Sequence, residues 1–438
     1  MSATSVIGLQ WGDEAKGKIV DILTEQHDIV VRYQGGANAG HTVVVDGEKY
    51  KLSLIPSGIF REGVKCVVAG GVVLNPPAIL GEIDGLLKRG LDITEQLMLS
   101  DRTHVIFPWH FEEDRVFDVL GGGEAIGTTL RGIGPCYRDK VGRSLAIRLG
   151  DMYRDNFADR VRHIVNIKRK QLKGMLDAGG DSEETAKASL DVLDAETIIK
   201  DYLGYAERLR PMVCDTTTFL LDSLDEGKKI LFEGAQGSLL DIDHGTFPYV
   251  TSSNSSGVGV SNGSGVPAKH ISKVVGILKA YTTRVGGGPF PTEQDNEVGQ
   301  HIRDMGNEYG TVTKRPRRCG WFDAVAARYT SRLSGASVLS IMLLDVLSLL
   351  PEIKVCIAYE IDGVRTTNFP SHVDDLRKVV PVYETLPGWQ QDITAIRDYD
   401  DLPENAKDYL NRLSELVGVP VEIVSVGPDR VQTMFVNK

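Results

Sequence analysis

Residues 12–18 read GDEAKGK, and the residues on either side restrict the chain to few architectures. Ser5-Val6-Ile7-Gly8-Leu9 is a short apolar run, and Ile19, Val20, Ile22 and Leu23 recur at helical spacing behind the loop. A strand, a glycine-bounded turn and a helix in that order open an α/β unit that cradles phosphate. Gly12, Gly17 and Lys18 match the G-x-x-x-x-G-K half of that motif. Two features do not suit it. Ile19 stands where a Ser or Thr hydroxyl would help hold a metal, and Asp13 and Glu14 place anions in a loop built for anions. A carboxylate beside phosphates is repelled unless it binds a cation or takes a proton. Asp13 is therefore read as a metal ligand, a general base, or both. Glu14 suits a cap on the helix that starts here.

More apolar runs follow: Asp28 to Arg32, Cys66 to Ala69, Val105 to Phe107, Lys229 to Phe232, Val274 to Leu278, Ser337 to Met342 and Val421 to Val424. Buried strands separated by helical crossovers predict a mostly parallel, doubly wound central sheet. The expected fold is α/β, one large P-loop-NTPase-like domain over residues 1–438. A charged, helix-patterned insertion is expected at about 151–226, and an antiparallel hairpin at about 352–369 turning at Asp362-Gly363. The Lys168-Arg169-Lys170 run reads as a solvated helix face.

Bulk properties exclude several classes. A formal net charge of −11 argues against a nucleic-acid binder, which would carry a basic face. No apolar run approaches the length of a membrane span. Five scattered cysteines without a C-x-x-C fit reduced thiols in the cytoplasm better than a disulfide framework.

Polar residues gather in the connections after the strands, where open α/β sheets bind ligands. QGGANAGHT (34–42) offers close backbone approach, with Asn38 and His41 as directed groups. EGAQG (233–237) precedes Asp241, Asp243 and His244, which read either as a metal cluster or as turn-forming residues. TVTKRPRR (311–318) concentrates four cations suited to carboxylates or phosphates. Arg131, Arg138, Lys140 and Arg143 offer a second cationic site around Gly127-Thr128-Thr129. Asp345, ending an apolar strand, can accept the paired N–H donors of a guanine edge, and Ser425 to Gly427 follow another strand.

Taken together and in this order, these motifs resemble adenylosuccinate synthetase across nearly the whole chain. The residues carrying the resemblance are GDEAKGK, RYQGGANAGHT (32–42), IGTTLRGIGP (126–135), DKVGRS (139–144), FEGAQG (232–237), DIDHGTFPYVTSSN (241–254), TRVGGGPFPTE (283–293), RPRRCGW (315–321) and SVGPDR (425–430). The resemblance implies a ligase that joins IMP to L-aspartate with cleavage of GTP. It implies Asp13, His41 and Lys140 as catalytic residues, and Mg2+ held by Asp13 and the Gly40 carbonyl. GTP would meet Gly12, Glu14, Ala15, Lys16, Gly17, Lys18, Gly40, His41, Thr42 and Arg317, with Leu343, Leu344, Asp345, Ser425, Val426 and Gly427 at the guanine. IMP would meet Asp13, Lys16, Asn38, Ala39, Gly40, His41, Thr129, Gln236, Thr251 and Arg315, and Arg143 of a neighbouring subunit, which implies a homodimer. Aspartate would meet Thr311, Val312, Thr313, Lys314, Arg315 and Arg317.

The chain departs from the family's pattern at Ala15 and Leu130, where Gly is usual, at Val312 and Lys314, and at Leu343, where many members carry Lys. Two alternatives are a related ligase acting on dGMP, in which a smaller residue replaces the loop Asp, and a GTP-dependent switch protein. The presence of Asp13 favours IMP over dGMP, and the Arg-rich loop favours a ligase over a switch.

Overall fold

The computed structural model describes residues 3–45, 48–120, 127–180, 182–309 and 316–436, leaving aside the side chains of 41–45, 49 and 119. Ten strands form one sheet: β1 (Ala3–Gly8), β2 (Ile29–Arg32), β3 (Lys65–Val68), β4 (Leu97–Ser100), β5 (Val213–Cys214), β6 (Ile230–Glu233), β7 (Ile271–Lys279), β8 (Val338–Met342), β9 (Val421–Ser425) and β10 (Thr433–Phe435). Their spatial order is β10-β9-β8-β7-β1-β6-β2-β3-β4-β5. Every neighbouring pair is parallel except β9 with β10. The chain runs out to one side of β1 as far as β5, returns through β6, and then builds the other side. That reversal beside β1 is the switch point at which an open α/β sheet leaves a crevice.

Alternation along the strands fills both faces. Val6, Val30, Cys66, Leu231 and Val275 enter one core, while Ile7, Val31, Val67, Phe232 and Leu278 enter the other. Successive strand side chains point to opposite faces, so a sheet covered by helices on both sides needs near-continuous apolar runs.

Three expectations are corrected. Val105 to Phe107 is not a sheet strand: His104–Val105 pairs with Val73–Leu74 outside the sheet, and Leu97–Ser100 takes the place instead. Within residues 151–226, beside helices such as Phe157–Gly179 and Ala195–Leu209, Val213–Cys214 pairs with Leu99 and Ser100 and forms the sheet edge. Lys168 is not on a solvated face. It is buried in the apolar stripe of Phe157–Gly179, with Nζ 2.9 Å from Glu113 Oε1 and 2.6 Å from Asp139 Oδ2. A two-sign contact of this quality offsets the desolvation that otherwise keeps lysines outside.

The hairpin pairs Glu352–Ile361 with Val364–Thr366 through Asp362 (φ 49°) and Gly363 (φ 81°), the left-handed pair that a tight hairpin turn requires. A third strand, Val380–Pro387, lies antiparallel to the first, and the sequence reading did not anticipate it.

Candidate active site

The loop after β1 is held in an unusual shape. Gly12 (φ 87°), Asp13 (φ 59°) and Ala15 (φ 61°) all occupy the left-handed region, which only glycine enters without strain. Glu14 fixes this shape from inside. Fully buried, its carboxylate accepts from the backbone N–H of Gln10 (3.0 Å) and Gly12 (2.9 Å) and from Lys16 Nζ (2.6 Å). The expectation that Glu14 caps the helix is thereby corrected. The helix Lys16–Thr24 starts with Ala15 at its N-cap and no side-chain cap, because the carboxylate is folded back into the turn. With Glu14 turned inward, Asp13 points out: its side chain is 43% exposed, and Oδ2 lies 2.9 Å from Arg317 Nη2. Ile19 enters the core, so no hydroxyl follows Lys18 into the loop.

Lys18 turns toward the end of β9. Its Nζ donates to Ser425 Oγ (2.8 Å), Gly427 O (2.8 Å) and Gln432 O (3.3 Å). Burial pulls its pKa down to about 8, opposed by Asp345 and Asp429. Asp345 sits in the turn after β8, next to Leu343 (φ 60°). Its Oδ1 is buried without a hydrogen-bond partner, and burial raises its pKa. An acceptor left bare in this way costs stability unless something else supplies a donor.

Beyond β2 and β6 the amides of three side chains interlock. Gln34 Nε2 donates to Ala235 O (2.9 Å) and Gln236 Oε1 (3.2 Å), and Gln236 Nε2 donates to Asn38 Oδ1 (3.1 Å). Gln236 is itself left-handed (φ 55°). Ala39 is half-buried and Gly40 exposed; a Cβ on Gly40 would meet nothing nearer than Leu52 O at 3.9 Å, so its backbone is open to close approach. His41 and Thr42 begin the strand His41–Val45, paired with Glu48–Leu52; their side chains lie outside the described residues.

Asp241 is no metal ligand here. Its two oxygens are occupied by the N–H groups of Asp243 (3.0 Å), His244 (3.2 Å) and Ser256 (2.9 Å) and by Ser256 Oγ (2.7 Å). It shapes the turn that carries Thr251, whose N–H reaches Leu240 O at 2.8 Å. Among the described residues no His, Cys, Asp and Glu group could hold a metal ion unaided. What remains for a dication is the outward carboxylate of Asp13 and an open carbonyl such as that of Gly40. These are hard oxygen donors, suited to Mg2+ that keeps most of its waters.

The second cationic site is smaller than expected. Arg138 is bound to Glu113 (2.6 Å) and Arg131 donates to Ala37 O (2.5 Å), tying the exposed Thr129 segment to the loop after β2. Lys140 is half-buried over the Tyr137 ring, and burial lowers its pKa. Arg143, at the C-cap of the helix Ile133–Gly142, is exposed with φ 66°. Thr311, Val312, Thr313, Lys314 and Arg315 lie outside the described residues.

Sequence reasoning missed Lys279, Tyr281 and Glu308. Glu308 accepts from Lys279 Nζ (2.7 Å) and Tyr281 Oη (2.7 Å) on one oxygen and from Arg317 Nη1 (2.7 Å) on the other. A Lys at the end of an otherwise apolar strand, KVVGILK, was the available signal.

Comparison with known proteins finds relatives over the whole chain. A family described as adenylosuccinate synthetase matches residues 5–434. The adenylosuccinate synthetase of Clostridioides difficile is 50% identical over 436 residues, covering 99% of each chain, and that of Acetivibrio thermocellus 48% over 438 residues, covering all of both. The fully ligated adenylosuccinate synthetase of Plasmodium falciparum superposes with a TM-score of 0.89 at 37% identity, covering 100% of both chains. The succinoaminodeoxyadenylate synthetase of cyanophage S-2L, bound to dGMP and dATP, shares the fold alone: TM-score 0.60 and 20% identity over 99% of this chain and 95% of that one.

Proposed function

The chain belongs to the adenylosuccinate synthetase family, and from that premise we propose how its residues carry the chemistry. It is a ligase of purine biosynthesis that joins IMP to L-aspartate and cleaves GTP, giving adenylosuccinate, GDP and phosphate. Asp13 takes the proton from the purine ring nitrogen beside the carbonyl. The carbonyl oxygen then attacks the γ-phosphorus of GTP and GDP leaves. The aspartate amine attacks the same ring carbon and phosphate departs. Asp13 and the Gly40 carbonyl would hold Mg2+, which when bound offsets charge on the phosphate oxygens.

The observation that carries this reading is Asp13 facing Arg317 across 2.9 Å, outside the carboxyl end of β1 at the sheet's switch point. A base and an anion-binding fork meet where a triphosphate and a purine can be set side by side. Catalysis of this kind rests on positioning and charge stabilisation. Lys16, Gly17, Lys18, Gly12, Glu14, Ala15, His41 and Thr42 serve the phosphates of GTP. Gln236, Asn38, Ala39, Thr129, Thr251 and Arg315 serve IMP. Residues 311–315 with Arg317 hold the aspartate carboxylates, and Lys140 assists. The bare Oδ1 of Asp345 supports GTP as the donor, because guanine sets a ring N–H and an amino N–H side by side for a carboxylate, whereas adenine sets its amino group beside an acceptor nitrogen. Leu343, Leu344, Ser425, Val426 and Gly427 complete that end.

The whole chain, 1–438, acts as one catalytic unit in the cytoplasm. It works as a homodimer, Arg143 reaching the IMP phosphate of the neighbouring subunit; its exposed guanidinium, without an ion pair among the described residues, supports this. The test is an absorbance assay for succinyl-purine formation. Product should require IMP, GTP and aspartate together, and dGMP should not replace IMP. GTP hydrolysis independent of IMP would instead mark a switch protein.

A further inference from the structure

Four charged side chains run in single file from the interior to the mouth of the site. Lys279 and Glu308 are each 1% exposed, and their contact is 2.7 Å. Lys279 is fixed in turn by Thr283 Oγ1 (2.7 Å), and its backbone N–H by Gln10 Oε1 (3.1 Å), next to the Asp13 loop. Glu308 is also bound to Arg317 through the backbone, its carbonyl accepting the Arg317 N–H at 2.9 Å. Arg317 is 17% exposed and Asp13 43%, so the file becomes steadily wetter toward its outer end.

Stability alone does not account for such a file. Buried ion pairs cost about as much in desolvation as they return, and apolar replacements of the same volume often do as well. What the file does provide is orientation. With both Glu308 oxygens engaged, the carboxylate cannot turn, and Arg317 Nη1 is held at a set point while Nη2 faces outward.

We propose that Glu308, locked by Lys279 and Tyr281, is a positioning residue. It sets the Arg317 guanidinium edge-on to Asp13, so that Nη2 can exchange the Asp13 carboxylate for an anionic oxygen of aspartate or GTP. This rests on the roles proposed above for Asp13 and Arg317. Glu308 itself touches no substrate; it acts through Arg317.

The test uses Glu308→Gln, Tyr281→Phe and Arg317→Leu in the full-length chain, with KM for each of the three substrates and a melting curve. Glu308→Gln keeps the shape but loses the charge, and KM for aspartate and GTP should rise about tenfold or more. Tyr281→Phe removes one neutral donor, and the same two constants should rise about threefold. KM for IMP should stay within about twofold in both, since charge loss behind Arg317 acts on that residue's ligands alone. A merely structural role would lower kcat with the folded fraction and leave every KM unchanged, and that result overturns the proposal. If Glu308→Gln does not fold, Tyr281→Phe decides by the same split. Should Arg317→Leu itself leave the KM values for aspartate and GTP unchanged, the assignment of Arg317 fails and the positioning role of Glu308 falls with it, whereas unchanged values in the Glu308 and Tyr281 variants alone overturn only the positioning role.

Discussion

Replacing Asp13 by Asn separates chemistry from architecture, because the structure bounds the cost of each. Asp13 occupies the left-handed region at φ 59°, and Asn is the side chain besides Asp and Gly that tolerates it best. The backbone therefore has no reason to move. The lost ion pair, 2.9 Å to Arg317, involves a carboxylate 43% exposed, and such pairs contribute about 0–1 kcal/mol. An amide oxygen still accepts from the guanidinium. Folding stability should consequently fall by less than about 1 kcal/mol. Removing a general base costs about 10²–10⁴ in rate, about 3–5 kcal/mol of transition-state stabilisation. Purified Asp13→Asn should melt close to wild type, retain GTP in equilibrium binding, and form succinyl-purine at least a hundredfold more slowly. A turnover within about threefold of wild type would remove Asp13 from the base role.

Three further outcomes follow from particular residues. Burial pushes the Asp323 carboxyl up to about 6; Tyr359 Oη at 2.6 Å and the Ala326 N–H only partly oppose this. Its folded pKa is the higher one, so the penalty is absent below about pH 4 and full above about pH 6, where it reaches about 3 kcal/mol. The stability of Asp323→Asn relative to wild type should thus improve between pH 4.5 and 7.5, and a difference independent of pH would refute this. Ala15→Gly should relieve left-handed strain at an exposed Cβ, gaining about 0.5–1 kcal/mol net and raising the melting temperature by about 1 °C. A lower melting temperature would mean that the loop relaxes in solution. Arg143→Leu should raise the KM for IMP, and mixing it with Asp13→Asn should recover activity through hybrid dimers; if no mixture recovers any, the shared site is wrong.

The strands β1, β2, β3, β6, β7, β8 and β9 were legible because a parallel sheet covered on both faces demands unbroken apolar runs. Val213–Cys214 was not, since two residues carry no periodicity, and its place at the edge is set by Leu99 and Ser100 more than a hundred residues earlier. Asp13 was legible as an anion out of place in its loop, whereas Asp345, read as ending an apolar strand, lies in a separate turn beyond the strand end at Met342, after the left-handed Leu343. The inward turn of Glu14 was hidden, because it depends on the backbone N–H groups of Gln10 and Gly12 converging on one point. The partnership of Lys279 with Glu308 spans 29 residues and a change of direction, and no local pattern encodes it.

Because β1 lies between β6 and β7, the strand of this sheet that is made earliest is among the last to be enclosed. Ala3 finds its neighbours at Ile230 and Ile271. At roughly 5–20 residues per second, on the order of 15–50 s of translation pass before both have been made. Through that interval an apolar segment with two open edges must be sheltered, while β2, β3 and β4 can already pair with one another. A nascent chain stalled before residue 271 would thus hold a flank of β2, β3 and β4 while the edge of β1 that β7 covers stays open.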